Sequence, residues 1–238
     1  MNAALSRFAE YLLGRNREVL VVGPHGAGKT SLVALLVGSP ERTQPRLESS
    51  KENATTVGVL GTNTVLFHDV LDVKLLRQMP RVSPMGVIIV VANGFYEARN
   101  PRQQAAGGVT EILHRNRHAE QIFLKEDVDL CFHLIDRARH RIDWTLTVVN
   151  KADLWWDQRT SVEEYYRHDF RRTLLDVMRR HPSTQEAMPI TGFMSCRIQR
   201  FMESTLPSAK FDDDESYRLK DDVLGKLKSA ISHSVSEQ

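Results

Sequence analysis

The stretch Gly23-Pro24-His25-Gly26-Ala27-Gly28-Lys29-Thr30 constrains this chain more than any other. It follows the apolar run Val19-Leu20-Val21-Val22 and leads into Leu32-Val33-Ala34-Leu35-Leu36. A buried strand, a glycine-rich turn and a helix in that order match the phosphate-loop pattern G-x-x-x-x-G-K-[ST]. The glycines allow backbone N–H groups to turn inward around phosphate oxygens. The helix that begins near Lys29 directs its positive end at the same point. The phosphate-binding candidates are therefore Gly23, His25, Gly26, Ala27, Gly28, Lys29, Thr30 and Ser31. Lys29 reaches the terminal phosphates, the Thr30 hydroxyl ligates Mg²⁺, and Ser31 helps to hold the inner phosphate.

The rest of the chain alternates strands and helices. Glu18–Val22 reads as a buried strand and Thr30–Val37 as a helix, followed by a polar loop from Ser39 to Thr56. Thr56–Leu60 and Thr64–Asp69 read as a hairpin around Gly61-Thr62-Asn63, and Leu71–Met79 as a short helix stopped by Pro80. Gly86–Ala92 is a continuous apolar run of the kind that suits a strand buried on both faces. Trp144–Val149 and Met188–Thr191 complete the strands. Asp127–Arg139, Val162–Arg180 and Ser216–Ser232 carry helical spacing, the last entered through Asp212-Asp213-Asp214-Glu215. This alternation predicts an α/β three-layer sandwich, a mostly parallel sheet with one antiparallel edge strand and helices on both faces.

Two segments stand apart. Leu5, Phe8, Ala9, Leu12 and Leu13 share one helical face, so residues 1–17 read as an amphipathic helix ahead of a main domain over 18–238. Its polar face is poor in Lys and Arg, which favours packing against protein over lying on a membrane. Glu97–Lys125 opens polar, carries Gly107-Gly108 and reads as an insertion.

Composition excludes several classes. The formal net charge of +2 gives no electrostatic bias toward nucleic acid. No apolar run is long enough to span a bilayer, and a signal-peptide pattern is absent, so a cytoplasmic location is expected. Cys131 and Cys196 have no C-x-x-C partner, which argues against a zinc site or a disulfide framework.

A second motif names the base. Asn150-Lys151-Ala152-Asp153 ends the apolar strand Thr145–Val149. Together with the phosphate loop, this N-K-x-D element resembles that of the Ras-like G-domain superfamily, the TRAFAC class of P-loop GTPases. The resemblance runs from about Glu18 to Ser232, apart from the insertion. It implies a P-loop NTPase fold, GTP or GDP as ligand and Mg²⁺ as cofactor. Asp153 would accept from guanine N1–H and the exocyclic amine, which adenine cannot offer. The Lys151 stem would cover the base, and Asn150 would tie this loop to the phosphate loop. A later loop contacts guanine O6 in that superfamily. Thr191-Gly192 is the expected counterpart here, with Ser195-Cys196 as the competing alignment.

The same resemblance implies a switch threonine, Thr55 or Thr56, closing on Mg²⁺. It also implies that Asp69 holds the metal through water, which makes Lys29 and Asp69 the catalytic candidates. The sequence departs from the family at the switch. Asp72 stands where a phosphate-gripping glycine is usual, and Val73 where many relatives carry a water-orienting glutamine. His25 replaces a glycine that leaves room for an inserted arginine. His25 and His68 are candidates for proton or water-positioning work, and Arg99, Arg102, Arg115 and Arg117 for charge stabilisation. The expectation is a slow GTPase acting as a molecular switch or regulatory subunit. An effector, an activating partner or self-association into a homo-oligomer would complete it. The alternatives are a GTP sensor without hydrolysis and a P-loop ATPase or nucleotide kinase.

Overall fold

A computed structural model describes residues 17–37, 54–60, 63–70, 72–73, 83–96, 108–195 and 208–236. The expected N-terminal helix, the loop after residue 37 and the hairpin tip at Gly61-Thr62 lie outside them, as does most of the expected helix Leu71–Met79.

Six strands form one sheet in the order β2-β3-β1-β4-β5-β6. They are β1 (Arg17–Val22), β2 (Ala54–Leu60), β3 (Asn63–Asp69), β4 (Pro84–Val91), β5 (Trp144–Val149) and β6 (Met188–Phe193). Every neighbouring pair is parallel except β2 with β3, which places one antiparallel strand at the edge as expected. β5 is buried along its whole length and β4 nearly so, which explains their continuous apolar sequence. Helices surround the sheet, giving the α/β architecture of P-loop NTPases. Parallel strands place all their C-terminal ends on one edge, and in such sheets that edge is where ligands bind.

Helix α1 (Lys29–Leu36) follows β1 directly. The β4–β5 crossover is a long helical run: α2 (Val109–Phe123), a π turn (Leu124–Val128) and α3 (Asp129–Arg137). Backbone angles stay right-handed through both junctions, so the run is continuous. The helical spacing within Glu97–Lys125 and the helix expected over Asp127–Arg139 fall, from residue 109 onward, on this one run; residues 97–107 lie outside the described set. After β5 come α4 (Ala152–Trp155), a 3₁₀ turn (Trp156–Gln158), α5 (Arg159–Tyr165), a second π turn (Tyr166–Phe170) and α6 (Arg171–Met178). The chain closes with α7 (Asp213–Ser236), packed on β6 and β5. Among the described residues no helix is long and apolar enough to cross a membrane.

Candidate functional site

The phosphate loop sits between the end of β1 and α1. Gly26 and Gly28 have φ of 75° and 98°, a left-handed backbone that glycine adopts without strain. Gly23 serves close approach instead, since a Cβ there would lie 2.3 Å from the Val90 carbonyl oxygen of β4. Helix α1 begins at Lys29 with no side-chain cap, so its first N–H groups remain directed at the loop. Lys29 is buried, and its Nζ donates to the carbonyls of Gly23 at 2.9 Å and Pro24 at 3.2 Å. His25 and Gly26 are exposed at the loop tip, Ala27 is buried, and Ser31 is half-buried at the start of α1.

Thr30 and Asp69 meet across the sheet edge. β1 and β3 are parallel neighbours, with Val21 in register with Asp69, so the end of β3 lies beside the loop. The Thr30 hydroxyl donates to Asp69 Oδ2 at 2.6 Å. The other oxygen, Asp69 Oδ1, is buried and has no hydrogen-bond partner among the described residues. A buried, unpartnered carboxylate oxygen is costly without a cation or water. Hydroxyl and carboxylate oxygens are the hard donors that Mg²⁺ takes, usually few in number because substrate phosphates and water fill the rest. The residues present therefore fit that ion.

The N-K-x-D loop meets the phosphate loop directly. Asn150 is buried, and its Nδ2 donates to the Ala27 carbonyl at 3.0 Å, while its backbone N–H donates to Val91 of β4. Lys151 adopts a left-handed φ of 59°, which turns the chain from β5 into α4. Asp153 is fully buried, and the Ser195 hydroxyl donates to its Oδ1. Trp155 Nε1 donates to the Asn150 carbonyl at 2.8 Å and packs edge-on against Phe193. Sequence reasoning passed over Trp155; the adjacent Trp155-Trp156 pair just after the motif was the available signal.

Three further sets of expected residues lie within strands or beside the core. β6 runs on to Phe193, so Thr191 and Gly192 lie inside the strand, paired with Thr147 and Val148. The Thr191 carbonyl accepts from Lys226, and Gly192 packs where a Cβ would come 2.8 Å from Val223. The residue brought to Asp153 is Ser195, the competing alignment. Thr55 and Thr56 also fall within a strand, because β2 starts at Ala54. Thr55 Oγ1 lies 3.0 Å from His68 Nδ1, and burial lowers the pKa of that imidazole. Finally, Val73 belongs to the hydrophobic core and Asp72 is half-buried beside it. An apolar residue at position 73 thus fills the interior.

Arg115 is exposed on α2, and Arg117 turns toward the β4–α2 connection. Arg99, Arg102 and Cys196 lie outside the described residues, while Cys131 is buried, which pushes its thiol up to about 12.

No protein-family model matches the sequence, and no curated protein matches it. Solved structures similar to it include a substitution variant of SsGBP, with 13% identity and a TM-score of 0.44. That match covers 99% of this chain, which spans 63% of the SsGBP chain. Another is a structure of the chloroplast translocon components atToc33 and psToc159, for whose GTPase activity dimerisation is described as important. It has 14% identity and a TM-score of 0.49, over 98% of this chain and 88% of that one.

Proposed function

We propose that this chain is a Mg²⁺-dependent guanine-nucleotide-binding protein of the Ras-like G-domain superfamily, a slow GTPase acting as a switch or regulatory subunit. One observation carries the reading: the Asn150 amide bonded to the Ala27 carbonyl at 3.0 Å. That bond joins a phosphate-binding loop to a loop whose next acidic residue, Asp153, is fully buried and accepts from the Ser195 hydroxyl. The two recognition elements are 123 residues apart in sequence and in contact in space.

The residues then take distinct roles. Backbone N–H groups of the loop and the start of α1 bind the phosphates. Lys29 exchanges its carbonyl partners for terminal phosphate oxygens. Thr30 and Asp69 hold Mg²⁺, which when bound neutralises charge on the β- and γ-phosphates. Asp153 selects guanine by accepting from two donors that adenine lacks. In this reading Ser195 replaces Thr191-Gly192 on the base side. None of these groups orients the attacking water, and Val73 is buried, so intrinsic turnover is slow and an activating partner or second copy supplies the missing group.

Asp153→Asn tests the base assignment. GTP affinity should fall by at least tenfold while the fold is retained, and an unchanged affinity would overturn it. A second reading, a GTP sensor without hydrolysis, draws on the buried Val73. Single-turnover phosphate release separates the two, since release that vanishes in Lys29→Ala belongs to a GTPase.

A further inference from the structure

A cleft lies between α2 and α5. It has a volume of about 360 Å³, within the range of small-molecule sites. On α2 its lining residues His114, Arg117, His118 and Gln121 are spaced i, i+3, i+4 and i+7, which places them on one helical face. Ser161, Val162 and Tyr165 of α5 form the facing wall, and Asn93 lies on the β4–α2 connection. Every polar residue in this lining can donate a hydrogen bond, and none is acidic.

Part of this lining is already paired: Gln121 Nε2 donates to the Tyr165 hydroxyl, and the Ser161 hydroxyl donates to the Gln158 carbonyl at 2.9 Å. Arg117 uses its Nε on the Asn93 carbonyl at 3.3 Å, and no carboxylate reaches its guanidinium within ion-pair distance among the described residues. His114 and His118 have no ion-pair partner among those residues either. Asn93 is 1% exposed, and its Nδ2 has no hydrogen-bond partner among them. The nearby Glu120 does not line the cleft. Its carboxylate is fully buried and engaged by the N–H groups of Ala92 and Gly94 and by the Tyr166 hydroxyl. Burial raises its pKa, and the nearby Arg117 charge acts against that rise.

We infer that this cleft is a binding site for a small anionic ligand, one bearing a phosphate or carboxylate group clamped by Arg117 and flanked by His114 and His118. Arginine suits such a group because its planar fork can donate two parallel hydrogen bonds. The inference does not depend on the identity of the nucleotide.

The test uses the full chain and NMR signals of the histidine rings, titrated separately with inorganic phosphate and with acetate. His114 and His118 should shift saturably with at least one of them, and the choice between the two identifies the head group. The response should persist in Lys29→Ala and weaken at least tenfold in Arg117→Gln. His118→Asn, which leaves the Arg117–Asn93 bond in place, should weaken it as well and covers the case in which Arg117→Gln does not fold. The inference fails if neither anion shifts the two rings, or if the response is lost in Lys29→Ala and kept in Arg117→Gln. It also fails if only an acidic peptide such as hexaglutamate produces the shift.

Discussion

Gly28 answers two demands at one position. Its φ of 98° is strained for any residue with a side chain, and a Cβ would come 2.2 Å from Asn150 Nδ2. Gly28→Ala should therefore break the Asn150–Ala27 bond and destabilise the fold by about 2 kcal/mol, read by urea unfolding. Nucleotide affinity should fall with it. Glu120 makes the opposite case, a polar residue that carries structure. Glu120→Ala would strand the N–H groups of Ala92 and Gly94 and should cost about 3 kcal/mol. Glu120→Gln keeps an acceptor for both and should cost less than half as much. The glycine at position 28 was readable from sequence because a tight left-handed turn dictates its type, and the N-K-x-D spacing likewise pointed to Asn150, whose side chain reaches the Gly23–Thr30 loop. Ser195 was harder to place, since the choice between it and Thr191 turns on where β6 ends.

At the scale of elements, the long crossover helix shows why periodicity misleads. Its buried face runs through Ile112, Asn116, Glu120 and Phe123 before reaching Val128, Cys131 and Phe132. Asn116 and Glu120 interrupt the apolar stripe because they clamp the β4–α2 connection: Asn116 donates to the carbonyls of Gly94 and Tyr96 while Glu120 accepts from N–H groups. A polar interruption followed by a π turn reads in sequence as the end of one segment and the start of another. The strands were easier, because β4 and β5 are apolar on both faces. Between β5 and α5, Trp155 anchors the Asn150–Asp153 loop. Trp155→Phe keeps the ring packing against Phe193 but removes the donor to the Asn150 carbonyl. It should cost about 1 kcal/mol of stability and accelerate nucleotide release more than it slows association, measured by stopped-flow displacement.

Across the whole molecule, two carboxyls give stability opposite dependences on pH. Burial pushes the Asp136 carboxyl up, but hydrogen bonds from Ser183 and His181 outweigh that and hold it below the usual carboxylate range. Its contribution is present above the unfolded value, about 3.9, and is lost as pH falls through the folded value. Asp136→Asn should therefore be most destabilising near neutrality and converge with wild type in acid. Glu120 has a folded value raised by burial, so its contribution is complete below the unfolded value and declines as pH rises through the folded one. Wild type should lose ground to Glu120→Gln over that rise, and urea unfolding at a series of pH values reads both trends. The architecture was legible from the strand–helix alternation, but the cleft between α2 and α5 was not, because its residues come from segments far apart in sequence.

In the proposed function, the loop carrying Asn150 and Asp153 makes this a guanine-nucleotide site. The most direct measurement is calorimetric titration of the full chain with Mg²⁺ and GTP, inosine triphosphate or ATP. Inosine keeps N1–H and O6 but lacks the exocyclic amine, so it offers Asp153 one hydrogen bond instead of two. GTP should bind tightest, inosine triphosphate at least fivefold more weakly and ATP weakest, with all binding lost in Lys29→Ala. ATP binding as tightly as GTP would contradict this and return the chain to the general class of P-loop nucleotide-binding proteins.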